Sequence, residues 1–328
     1  MDKKILLAIN AIVSVALVAA ILYLVGVGDV VMELGRIGLG YLALSMLCLL
    51  AMDALMSYRI KILLEEMGVK MRFLDIVRSH FVGMLLADFT PSRTGYFATA
   101  AVLRYNYGVP SDKALLSIFG PQIFDFAFKG IAGSLAIFYI MFMFIGPEQG
   151  WFLIVGAFVI GAIIAVMLLT LFSERFLMLF SFAKSLPVAS KVFEVVHKMQ
   201  DSSHIVVKKT PHIIAIIFFS WSARALSWYF AAKALGIAVP TPFPEPLFYF
   251  FLQPLVTMLE FVPSPTIAGL GLSEGGTTLV FSLFGVAAAK AAVFGLIVRF
   301  KTTLLHLPAV PEGLRMVKLH TDDIQKPI

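Results

Sequence analysis

Nine ionisable side chains lie within or at the edge of long apolar segments of this 328-residue chain: Asp53, Asp88, Arg93, Asp125, Lys129, Arg224, Glu260, Glu274 and Arg299. A charge at the middle of a membrane helix costs roughly 2.5–3.5 kcal/mol, so such residues face a bundle interior, pair with one another or line a wet cavity. Two chemistries suit them. A guanidinium holds a phosphate through two parallel hydrogen bonds. Arg93, just after a Pro-Ser break and with no obvious helical partner, is the first candidate; a structural ion pair with Asp88 or Glu260 is the alternative. The carboxylates then counter the cations or relay protons. Asp125 and Lys129 stand four residues apart and can neutralise each other on one helix. Glu274 follows the glycine-rich stretch 268–273; it can pair with Arg299 or simply set negative charge at a helix start. Arg224, among Trp221, Trp228 and Tyr229, is expected near the outer interface, where snorkelling serves as well as a site role. The expected substrate-binding set is Asp88, Ser92, Arg93, Asp125, Lys129, Glu260, Ser264, Glu274 and Arg299.

Catalytic signatures point elsewhere. The sequence holds no HExxH zinc motif and no phosphate-loop lysine motif. His80 and His306 read as isolated structural histidines, and the single cysteine, Cys48, as a small hydrophobe. The expectation is a non-enzyme with no cofactor and no metal.

The elements that must carry these residues are membrane helices. Hydrophobic residues make up 60% of the chain and charged ones 14%, with a mean hydropathy of +0.93; soluble domains run near 45–50% and 25%. Apolar runs fall at about 5–27, 38–57, 114–145, 151–172, 211–235 and 286–310, and two more, 73–108 and 246–284, are broken by Pro, Gly and Ser. Crossing about 30 Å of hydrocarbon takes about 20 residues, which predicts an all-α polytopic membrane protein with six full spans plus two broken or re-entrant hairpins. The net charge of +6 sits in the loops, so it speaks for cytoplasmic enrichment rather than nucleic acid. Basic clusters at Lys3-Lys4, at 59–72, at 175–209 and at 315–326 put both termini in the cytoplasm, and 174–209 reads as a cytoplasmic amphipathic loop. The whole of 1–328 forms one transmembrane domain.

One five-residue pattern occurs twice. Asp88-Phe89-Thr90-Pro91-Ser92 returns as Glu260-Phe261-Val262-Pro263-Ser264. Gly108-Val109 with Lys113-Ala114 returns as Gly285-Val286 with Lys290-Ala291, and the trio Gln122, Asp125, Lys129 has the spacing of Arg299, Thr302, His306. Charge-based topology sets the copies, about 38–145 and 211–310, in opposite orientation. Inverted repeats with broken helices at a central site are a recurring transporter plan.

At the residues PSRTG (91–95), Gly108-Val109-Pro110 and SEGG (273–276), with Arg59, Asp125 and Arg299, the chain resembles the flippase-like integral membrane family. That family is typified by the membrane region of lysylphosphatidylglycerol synthase and by membrane tails of some archaeal dolichol-linked glycosyltransferases. The soluble aminoacyl-transferring domain of the synthase is not expected, since the chain ends soon after its last apolar run. The resemblance implies a plasma-membrane translocator of a phospholipid or polyprenyl-phosphate-linked lipid. A secondary transporter of a small soluble anion, and a non-transporting partner of a lipid-modifying enzyme or glycosyltransferase, stay open, as does homo-oligomerisation.

Overall fold

The computed structural model describes residues 3–144, 168–179, 187–261 and 269–325, with a few positions between 158 and 166 and Thr266 besides. The expected span at 151–172 lies largely outside the described residues. Among those described, the chain is helical and holds no strand. This is what lipid demands, since a backbone without water must satisfy its own hydrogen bonds.

Helix α1 (Lys3–Val25) bends by 89° at Gly26, whose φ of +96° a side chain would resist, into the short α2 (Val27–Leu34). Among the described residues, four helical stretches are long and apolar enough to cross a bilayer: Leu39–Glu66, Ser111–Phe144, Thr210–Ala234 and Ala288–Leu319, or five with the bent α1–α2 pair. The protein is thus a multi-pass membrane protein. We label α3 (Leu39–Glu66), α4 (Phe73–Phe89), α5 (Ala98–Tyr107) and α6 (Ser111–Phe144). After them come α7 (Glu174–Leu179), α8 (Pro187–Asp201), α9 (Ser203–Lys208), α10 (Thr210–Ala234), α11 (Glu245–Phe261), α12 (Leu272–Leu283), α13 (Ala288–His306) and α14 (Val310–Gln325).

Both broken segments fold back as hairpins. Pro91 forbids the α-conformation of the residue before it, and Thr90 is accordingly extended (φ −115°, ψ 143°). The Thr90 hydroxyl donates to the Leu86 carbonyl (2.9 Å) and accepts from the Gly95 N–H (2.6 Å), satisfying backbone groups that the break exposes. A 3₁₀ turn (Pro91–Phe97) leads into α5, which packs back on α4: Gly83 lies against Thr99, and Gly95 against the Leu86 backbone. In the second segment Phe248 of α11 meets Phe284, and Tyr249 meets Phe281 of α12. The arms match in length, 17 and 10 residues against 17 and 12, and each second arm ends at a left-handed glycine, Gly108 (φ +70°) or Gly285 (φ +77°).

Helices α3 and α10 run antiparallel side by side. The Gly38 N–H bonds the Ala234 carbonyl (2.7 Å), Ser45 bonds Ser227, the Arg224 Nη1 lies 3.6 Å from the Met52 sulfur, and Lys209 reaches Glu66 at 2.9 Å. Apolar clusters close the two ends of this pair. One gathers Ile60, Leu64, Leu103, Leu116 and Ile217; the other gathers Trp228, Tyr249, Phe281 and Phe294. Polar side chains collect in the layer between. Within 174–209 the described residues form α7, α8 and α9, tied down where Lys208 and Lys209 bond Glu66 at the end of α3.

Candidate functional site

Arg93 stands in the 3₁₀ turn with φ at +54°, a conformation that a side chain other than glycine's adopts only at a cost of order 1–3 kcal/mol. Its Nη2 donates to Asp88 Oδ1 (3.0 Å), and the other carboxylate oxygen accepts from Thr303 of α13 (3.1 Å). The break therefore aims a guanidinium inward while the last turn of α4 anchors it. On the opposite wall Arg299 of α13 donates from Nε to Glu274 Oε1 (2.5 Å) and from Nη2 to Ser273 (2.7 Å). Glu274 Oε2 accepts the Gly271 N–H (2.6 Å), so the carboxylate also closes the first turn of α12. Gly271 permits this fold: a Cβ there would come within 2.4 Å of Leu17 on α1.

Asp125 of α6 accepts from Arg59 Nη1 of α3 (2.6 Å), and the Trp221 indole N–H lies 3.4 Å from its other oxygen. Lys129, one turn on, places its ammonium 5.2 Å over the Trp221 ring and 5.1 Å over Phe126. Arg224 sits 5.7 Å over the same Trp221 ring. Ammonium and guanidinium groups in such positions draw on the negative faces of the rings.

These groups line two cavities that share Arg93 and Arg224. The smaller, about 20 Å³, lies among Asp88, Ser273, Glu274 and Arg299. The larger, about 200 Å³, has Gln122, Asp125 and Lys129 on one wall and an apolar wall that includes Met52, Met56, Met84 and Phe97. The described lining carries Arg93, Arg224, Arg299 and Lys129 together with Asp88, Asp125 and Glu274, with Asp88 bonded to Arg93, Glu274 to Arg299 and Asp125 to Arg59. The arrangement sets charged groups, largely buried from water, beside a soft hydrocarbon surface.

The residues expected from the sequence are brought together here: Asp88, Arg93, Asp125, Lys129, Glu274 and Arg299 all line one cavity or the other. The side chains of Ser92 and Glu260, and all of Ser264, fall outside the described residues. Four expectations change. Asp125 takes Arg59 as its ion partner rather than Lys129, because α3 continues past the apolar run to Glu66 and carries Arg59 into the core, where it is fully buried. Arg224 lines the cavities instead of reaching an interface. His80 and His306 are not isolated: both meet Asp53. Lys301, absent from the expected set, is buried and bonded to Ser45 and Ser227.

Residues 271–275 also carry Gly-x-Ser-x-Gly spacing, which corrects the expectation that no such string occurs. In hydrolases that string forms a strand-to-helix elbow with a histidine on the serine. Here no described strand precedes it, and the Ser273 hydroxyl contacts Glu274 and Arg299.

A search of curated proteins returned no match. The family described as the lysylphosphatidylglycerol synthase TM region matches residues 8–309, nearly the whole chain, from α1 to the end of α13 and including every lining residue named above, and the protein belongs to that family.

Proposed function

We propose that the protein moves a lipid with a phosphate-bearing or otherwise polar headgroup between leaflets, as a translocator and not as an enzyme. The observation that carries this reading is the two-sided lining of the larger cavity, cationic at Arg93, Arg224 and Lys129 and apolar at Met52, Met56, Met84 and Phe97. A headgroup losing its hydration there gains charge-assisted hydrogen bonds, while its glycerol and first methylenes meet hydrocarbon. A third cavity of about 220 Å³, walled by Ala136, Tyr139 and Ile140 of α6 and Phe248, Phe251 and Leu252 of α11, extends this logic. Ala136 is seven residues beyond Lys129 and on the same helical face, about 10 Å along α6. The seam between α6 and α11 thus offers a tail its own apolar slot, which a small soluble anion would not need.

The antiparallel pairing of α3 with α10 supports the inverted repeat. These helices precede the two hairpins in equivalent positions, and inversion requires equivalents to oppose each other. α4 with α13, and α6 with α11, cross-pair the two halves in the same sense. In this arrangement the hairpins rock about the shared cavities, both termini face the cytoplasm, and the host membrane is the plasma membrane.

The test is lipid movement in proteoliposomes, read as the fraction of fluorescent phosphatidylglycerol that becomes accessible to an impermeant quencher. Wild type is expected to accelerate exchange over empty vesicles. Arg93→Ala and Arg224→Gln, each removing a charged hydrogen-bond donor worth about 1.5–3 kcal/mol, should slow it about tenfold or more. Equal rates in wild type and both variants would refute the assignment, and uptake of a soluble organic anion without lipid movement would replace it with the anion-carrier reading.

A further inference from the structure

Behind the apolar wall of the larger cavity, three fully buried polar side chains meet. Asp53 of α3, His80 of α4 and His306 of α13 each have no exposed surface. The Nε2 of His80 lies 3.2 Å from Asp53 Oδ1 and the Nε2 of His306 lies 3.0 Å from Asp53 Oδ2. An ionised carboxylate only accepts, so each Nε2 donates, and a neutral imidazole protonated at Nε2 carries a bare lone pair at Nδ1. Both Nδ1 atoms are buried and have no hydrogen-bond partner among the described residues. Aromatic edges pack around the rings: Phe81 lies 5.0 Å from the His306 ring and Tyr96 lies 5.8 Å from the His80 ring.

The charge balance of this cluster is incomplete. One carboxylate with two neutral imidazoles is a buried anion, and buried charge is costly unless paired. The charged groups nearby are committed elsewhere. Arg59, within electrostatic reach of His80 on α3, is ion-paired to Asp125. Lys301, on α13 with His306, bonds Ser45 and Ser227. Tyr96 in the 3₁₀ turn is a neutral neighbour of Asp53 and Arg59. Glu312, on the α14 helix that packs on α4, bonds Asn106. Asp88, further along α4, holds Arg93 and Thr303. One proton on either Nδ1 converts the cluster to an imidazolium–carboxylate pair of zero net charge.

The cluster also joins the moving parts. Asp53 belongs to the α3–α10 pair, His80 to the first hairpin and His306 to the second half of the chain. From His80 to Asp88 is eight residues of continuous helix, about 12 Å. The tie between α4 and α13 at Asp53 is therefore carried rigidly to the Asp88–Arg93 corner of the cavity. We propose that Asp53, His80 and His306 form a proton-binding site whose loading and release couple a transmembrane proton gradient to the exchange of the cavity between leaflets. The proton comes from water on one side, bonds to a histidine Nδ1, and leaves from that nitrogen to water on the other. Loading strengthens the α3–α4–α13 tie by adding an ion pair; release returns it to neutral donors on a carboxylate. The coupling rests on the translocator reading, whereas the proton site does not.

Two measurements separate these. In ¹⁵N-histidine spectra of the full chain in micelles, the signals of the buried pair are expected to move as the pH is varied. Those signals should be lost or altered in His80→Gln, which keeps an N–H donor for Asp53 but takes up no proton; His306→Gln serves the same purpose should His80→Gln fail to fold. In proteoliposomes a pH gradient should accelerate wild-type lipid exchange by at least about fivefold, a usual size for coupling between sites. His80→Gln should lose that response while still exchanging lipid when no gradient is applied. A pair silent to pH overturns the site, whether or not lipid moves. A titrating pair with gradient-independent lipid exchange overturns the coupling. A titrating pair in a protein that moves no lipid at all overturns the coupling as well, and there the fault lies with the translocator reading.

Discussion

The Arg59–Asp125 pair is the most deeply buried arginine–carboxylate contact among the described residues of the polar layer, with side chains 0% and 2% exposed, yet it is incompletely satisfied. Arg59 Nε and Nη2 have no partner among the described residues. Removing one member of a buried pair strands the other and costs about 3–5 kcal/mol, while replacing both by apolar residues of similar size is often neutral. Arg59→Met alone should therefore lower stability by about 3–5 kcal/mol in mixed-micelle unfolding, and Arg59→Met with Asp125→Leu should recover most of it. If the double variant is as unstable as the single, the pair is not what holds α3 to α6. That such pairs exist was legible in the sequence, because ionisable residues in apolar runs must be turned inward. Their partners were not. Arg59 and Asp125 are 66 positions apart, and Asp53 and His306 are 253 apart; only helix packing sets those contacts. Glu274 with Arg299 was one of two readings open for that carboxylate, and it was open because a single connection separates their two helices. Arg59 was misassigned to a loop since Tyr58, Lys61 and Glu65 end the apolar run, although the helix continues for two more turns with Ile60, Leu63 and Leu64 on its buried side.

At the scale of elements, the first hairpin depends on two glycines where the helices touch backbone to backbone. A Cβ on Gly95 would lie 2.3 Å from the Leu86 carbonyl carbon, and one on Gly83 would lie 2.8 Å from the Tyr96 carbonyl oxygen and 1.9 Å from the Thr99 hydroxyl. Backbone cannot step aside as a flexible side chain can, so the strain falls on the break that presents Arg93. Gly95→Ala should cost about 1–3 kcal/mol or more, and its effect should appear first as lost lipid movement, since the 3₁₀ turn shifts before the helices separate. Gly40→Ala, where a Cβ meets nothing within 4 Å, is the control and should leave both stability and exchange near wild type. Equal behaviour of the two variants would mean that the hairpin is looser than its contacts imply. The break itself was readable from Pro91 and Gly95; the closeness of its arms was not, because glycine in a sequence marks freedom and close approach alike.

For the molecule as a whole, the decisive quantity is which side of the membrane each hairpin opens from. The pairing of α3 and α10 ties Gly38 to Ala234 at one end and Glu66 to Lys209 at the other, so the connection before the first hairpin and the connection before the second leave from opposite ends of the same helix pair. Each hairpin then returns its chain toward the side from which it entered, since α5 packs back on α4 and α12 on α11. The proposed inverted repeat needs two equivalent halves that open in opposite directions onto one charged layer, the minimum geometry for alternating exposure. Four exposed positions report it: Lys70 and Pro110 flank the first hairpin, and Ala238 and Ala287 flank the second. In a Cys48→Ser background, Lys70→Cys and Pro110→Cys should react with an impermeant maleimide from the cytoplasmic side, and Ala238→Cys and Ala287→Cys from the other, as the basic residues around 59–72 and 173–210 demand. Labelling of all four from one side would leave the halves parallel. The two hairpins would then open together, the cavity at Arg93 and Arg224 would face a single leaflet, and no rocking of one half against the other could carry a headgroup across.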